Sequence, residues 1–169
     1  MNLSLAGKYS CNEVTTSFYP NATNPPVFEY PGDHLFCILG FVDAAGLENP
    51  YFKDDRGNPC FIVAKHGQST DLTFGRYSGL EMYHCDEFEH DSWEVSVFNF
   101  DKKSGNFSDY GDSGSIISNA EGKIVALLHS GMLKGMYNHV TYGTPGHFIL
   151  DQIKEHYTHA DFDCLSYDT

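Results

Sequence analysis

Residues 111–115 read Gly-Asp-Ser-Gly-Ser, and the serine at their centre is the side chain whose neighbours best suit it for chemistry. A serine hydroxyl attacks a carbonyl when it stands clear of the chain on a sharp turn, with backbone N–H groups aimed at the developing oxyanion. Glycines at 111 and 114 permit the backbone angles such a turn requires. Gly, Asp and Ser are also what any tight turn favours, so the pentapeptide takes its meaning from its surroundings.

The elements that must hold this turn read as all-β: short apolar runs separated by Gly, Pro, Asn and Asp. Strands are expected at 35–42, 60–65, 71–84 in one or two pieces, and 92–100. In the last of these Trp93, Val95 and Val97 alternate with polar residues, the period of a half-buried strand. Residues 115–119 and 123–129, joined by a turn at Ala120-Glu121-Gly122, read as a hairpin, and 139–143 as a further strand. Thr144-Pro145 is expected to cap a C-terminal helix, with Phe148, Ile149, Ile153 and Tyr157 on one face. Residues 1–34, broken by YPNATNPP and YPGD, read as an extended arm, 35–160 as a barrel with its terminal helix, and 161–169 as an acidic tail.

Order along the chain gives the pentapeptide its context. Upstream lies SGNFSDY (104–110); downstream come LLHSG (127–131), TYGTP (141–145) and the helix. This arrangement resembles the C-terminal half of chymotrypsin-like serine proteases, the PA clan, and in particular trypsin-like proteins common in fungi. The resemblance is strong over residues 60–157 and weaker before them. It implies a chymotrypsin-like antiparallel β-barrel closed by a C-terminal α-helix, and peptide-bond hydrolysis through an acyl-enzyme. By that resemblance Ser113 is the nucleophile, and the N–H groups of Gly111 and Ser113 form the oxyanion hole. In activated family members the aspartate before the serine pairs with a freshly cut N-terminus. Nothing in this sequence shows such processing, so Asp112 is expected to bond nearby backbone. The resemblance puts Phe107 at the base of the primary specificity pocket, which argues against Arg or Lys as the preferred residue. It puts His129, Ser130 and Gly131 in the pocket wall and residues 141–143 at the rim opposite.

A serine needs a base to take its proton, and the base needs an orienting acid. In the resembling family both come from a first barrel earlier in the chain. A six-stranded barrel takes roughly 60 residues, and too few precede the strands assigned above. His34 is the one histidine before residue 66, and its flanks are not those of the family's catalytic histidine. His129 falls on the wrong side of the pocket for the usual base, and His147 and His156 lie on the helix. The expectation is half of a serine endopeptidase, its histidine and aspartate supplied by an N-terminal protease half, acting on peptide or protein substrates. The alternative is a non-catalytic, protease-like module that binds a peptide or partner.

Composition narrows the rest. With 10 Lys+Arg against 23 Asp+Glu, a formal net charge of −13, the surface repels nucleic acid and anionic lipid. No apolar run reaches the roughly 18 residues of a membrane span, and the N-terminus lacks the pattern of a secretory signal. Five cysteines without a close pair read as reduced thiols of a cytoplasmic protein, several buried as small apolar groups. His84, Cys85, Asp86, Glu89 and His90 are metal-capable, but their spacing is not that of a zinc site, so no metal and no cofactor is expected. The acidic run from Asp86 to Glu94 reads as a hydrated edge.

Overall fold

The computed structural model describes residues 2–4, 9–20, 35–85, 91–132 and 139–160. Nine strands and three helices follow in chain order among them. β1 (Asn2–Ser4) pairs antiparallel with β2 (Leu35–Cys37), outside the main sheet. The main sheet holds β3 (Phe61–Gly67), β4 (Asp71–Tyr77), β5 (Glu81–Cys85), β6 (Asp91–Asn99), β7 (Ile116–Asn119), β8 (Ile124–Gly131) and β9 (Val140–Pro145). Around it the strands run β4-β3-β7-β8-β9-β6, and a pairing of Gly75 and Arg76 with Asn99 and Phe98 joins β6 back to β4. The sheet therefore closes into an antiparallel barrel of six strands, with β5 added along the first half of β6. This is the barrel that the chymotrypsin-like resemblance implies.

Side-chain alternation sorts two apolar layers. Phe61 and Val63 of β3, Val95 and Val97 of β6, Ile117 of β7 and Val125 of β8 fill the barrel together with Tyr77 and Phe107. Ile62 and Ala64 point outward, as do Leu72 and Phe74 of β4. A helix, α1 (Cys11–Phe18), covers that outer face with Val14 and Phe18; the Phe18 ring meets Phe74 edge-on at 5.2 Å and stacks on Phe36 at 5.7 Å. Each such fully buried side chain is worth about 1.5–3 kcal/mol. Buried on both faces, β3 reads in sequence as a continuous apolar run.

Several expectations are corrected here. Within 1–34, expected as an extended arm, Cys11–Phe18 are helical, because Ser10 and Glu13 form a reciprocal capping box that starts the helix. The run at 35–42 is a strand only over Leu35–Cys37; Phe41 makes an isolated bridge to Ile124, and a short helix, α2 (Ala44–Glu48), follows on an Asp43 cap. Trp93 is 59% exposed, while its neighbour Glu94 is buried, so the alternation in β6 starts at Val95. β9 runs through Thr144 to Pro145, and the terminal helix α3 (Gly146–His156) begins without a side-chain cap. It starts at a glycine because a Cβ there would stand 2.9 Å from Ile124 Cγ2. Phe148 and Tyr157, placed on the helix's apolar face, are exposed. No helix among the described residues is long and apolar enough to cross a membrane. His34, residues 86–90 and the tail at 161–169 lie outside the described residues.

Candidate active site

The turn carrying Ser113 is built from its aspartate outward. Asp112 has no exposed surface, and five donors hold its carboxylate: the Ser69 N–H at 2.8 Å, the Thr70 N–H at 3.3 Å, the Thr70 hydroxyl at 2.7 Å, the Asp109 N–H at 3.0 Å and the Lys65 ammonium at 3.1 Å. Lys65 is equally buried, reaching in from β3 beside the Phe107 ring and also donating to Thr70 Oγ1. Burial alone would push the carboxyl's pKa up, but the bonds from Thr70, Ser69, Asp109 and Lys65 outweigh it and hold the group at about 2. The backbone bonding expected of Asp112 is present, and Lys65 is the partner that sequence reasoning missed. A lysine centred in an apolar strand was the available signal.

Anchoring Asp112 leaves its neighbours outside. Gly111 and Gly114 take φ of +97° and +86°, conformations that favour glycine, and Ser113 between them is exposed. The N–H groups of Asp112, Gly114 and Ser115 are all consumed, by the carbonyls of Asp109, Leu128 and Asp112 respectively. Those of Gly111 and Ser113 donate to no protein acceptor among the described residues. Two unpaired N–H groups thus flank an exposed hydroxyl, the arrangement an oxyanion would fill.

Beside the turn lies a cavity of about 190 Å³, bordered by Ser113, Ser108–Tyr110, Leu128–Met132 and His139. His129, Ser130 and Gly131 therefore do share a hollow with Ser113. Phe107 does not line it: the residue is 1% exposed and packed in the barrel core, with Lys65 Nζ 5.6 Å from its ring centroid. The residue that sequence reasoning missed at this wall is His139, which sits one position before β9 and is 5% exposed. Thr141, expected at the rim, is buried and shares a 2.6 Å hydrogen bond with the Ser108 hydroxyl.

No described histidine ring takes the proton of Ser113. Its hydroxyl donates instead to the His129 carbonyl at 3.1 Å. His129 is the extra residue of a bulge in β8, where the pairing with β9 shifts between Leu128 and Ser130. Its Nε2 lies 2.9 Å from the Glu94 carboxylate, which is buried under the strand. His147 and His156 are on α3, and His147 borders a different hollow, with Trp93 and Phe148.

No family model and no curated protein matches the chain. Among solved structures the chain is similar to the chymotrypsin of Cellulomonas bogoriensis, with a TM-score of 0.46 and 12% identity over 75% of this chain. The match takes in 56% of that protein, so this chain spans little more than half its length. The fold assignment above stands on the strand pairings themselves.

Proposed function

We propose that the chain is the nucleophile-bearing barrel of a serine endopeptidase-like protein. Ser113 attacks the peptide carbonyl, and the Gly111 and Ser113 N–H groups receive the oxyanion. Asp112, clamped by Lys65, holds the turn, and the hollow along His129, Ser130 and Gly131 takes the substrate side chain. The observation that carries the reading is the exposed hydroxyl beside two N–H groups left unpaired by an otherwise fully bonded turn. A histidine base and its orienting acid are then contributed from outside the described barrel, since Ser113 gives its proton to a backbone carbonyl within it.

Reconstitution tests this. When an N-terminal protease half is supplied, peptide hydrolysis appears and Ser113→Ala abolishes it while leaving the cooperative melt intact; activity retained in that variant sinks the reading. A second reading, a non-catalytic peptide-binding module, is favoured by the same carbonyl bond, which leaves the hydroxyl unactivated. It predicts peptide binding unchanged by Ser113→Ala and no hydrolysis under any reconstitution.

A further inference from the structure

The wall of the Ser113 cavity holds a buried imidazole with unmet hydrogen-bonding capacity. His139 Nδ1 has no partner, and Nε2 reaches only the Ser108 hydroxyl at a long 3.4 Å. Ser108 makes its short bond elsewhere, to Thr141. The ring edge carrying Nε2 and Cε1 faces Gly131, where a Cβ would come within 3.3 Å of Nε2, and both Gly131 and Ser108 border the cavity. Burial lowers the imidazole's pKa, with the Asp109 carboxylate opposing in part, so the ring is neutral at neutral pH. A neutral imidazole carries one N–H, and a buried N–H without a good acceptor is destabilising. Buried polar groups are rarely left unsatisfied, and a bound group that accepts from the ring is one way to meet the need.

We infer that this cavity selects an uncharged carboxamide side chain, glutamine above all, on the residue whose carbonyl Ser113 meets. The amide oxygen accepts from His139 Nε2–H and from the Ser108 hydroxyl, which in turn accepts from Thr141. The amide nitrogen faces a wall bearing the Asp109 carboxylate. A glutamate would bring a second negative charge beside Asp109 with no Lys or Arg among the described lining residues. A purely apolar side chain of the same length would leave the imidazole unsatisfied, the penalty by which such sites reject the analogue that lacks the polar group. This inference rests on the reading of Ser113 as the reacting group, because it takes the cavity beside it as the specificity pocket.

The test separates the two by using binding. Acetylated tetrapeptide acids ending in Gln, Met, Glu or Lys, otherwise identical, are titrated by calorimetry into the full chain and its Ser113→Ala variant. Gln is expected to bind about tenfold tighter than the other three in both. The preference is expected to fall to within about twofold in Ser108→Ala and in His139→Leu. Two variants are needed because His139 is buried and its replacement could unfold the chain; Ser108→Ala removes a hydroxyl only. Met, Glu or Lys binding as well as Gln would overturn the inference, as would a Gln preference surviving both variants or no binding by any peptide. Gln preference with a Ser113 that stays unlabelled by a fluorophosphonate even with free imidazole added would uphold the pocket and defeat the nucleophile; imidazole-dependent labelling without the preference would do the reverse.

Discussion

Lys65 and Asp112 meet at 3.1 Å with no exposed surface on either, and the turn depends on them. Removing one partner of a buried pair leaves an uncompensated charge, so Lys65→Met is expected to cost about 3–5 kcal/mol in urea unfolding. A loss under about 1 kcal/mol would mean the Thr70, Ser69 and Asp109 bonds suffice without it. Gly67 is as constrained. A Cβ there would lie 2.2 Å from Asp112 Oδ1, which is pinned and cannot yield, so Gly67→Ala is expected to destabilise by about 1–3 kcal/mol. Acid acts on the same group. Asp112's carboxyl sits at about 2 in the folded protein against 3.8 ordinarily, so its ionised form adds stability above about pH 4. That contribution, about 2 kcal/mol, is lost as the pH falls through about 2, and Asp112→Asn should flatten this stretch of the stability curve. A curve of unchanged slope in the variant would assign the acid lability elsewhere. Ser113, Gly111 and the His129–Gly131 wall were legible in the sequence because turn chemistry is local: two glycines around a serine say where the chain must bend. Lys65 and His139 were not, since their importance comes from distant parts of the chain meeting at one turn: the Ser69 to Asp112 bond beside Lys65 spans 43 residues, and the Ser108–His139 contact spans 31.

At the scale of elements, the strands after residue 60 followed from apolar runs and turn residues, while the segment before them did not. The prolines that follow α1 suggested extended chain, yet a capping box and two apolar side chains one turn apart made a helix that packs on β3 and β4. Trp93 shows the opposite failure, a strand alternation that a period-2 pattern assigned to the core although the residue lies where β6 pairs only with β5 at the barrel's edge. α2 is tied to the barrel by Tyr77, whose buried hydroxyl donates to the Leu47 carbonyl at 3.1 Å. Tyr77→Phe is therefore expected to lower stability by about 1–2 kcal/mol without changing the fold. An unchanged melting temperature would show that α2 is held by the packing of Leu47 instead.

Over the whole molecule, a strongly acidic surface coexists with aromatic side chains left in solvent. Tyr83 and Trp93 pair at 5.1 Å, and Trp93 and Phe148 border one hollow of about 380 Å³ between the β5–β6 edge and α3. Exposed apolar surface of this kind drives association, so concentration-dependent sedimentation is expected despite the net charge of −13. A clean monomer at high concentration would show that charge repulsion dominates. Taken together, the barrel fixes a serine, two open N–H groups and a hollow in one place, and the proposed reading has the base brought to them from outside the described residues.

That division of labour can be read in one experiment: labelling of Ser113 by a fluorophosphonate, with and without high concentrations of free imidazole, the site mapped by mass spectrometry. The account predicts slow labelling of the chain alone, a rate that climbs with imidazole, and a label confined to Ser113 and absent from Ser113→Ala. Rapid labelling of Ser113 without imidazole would place a working base within this chain. A rate indifferent to imidazole, or a label on another residue, would contradict the nucleophile itself.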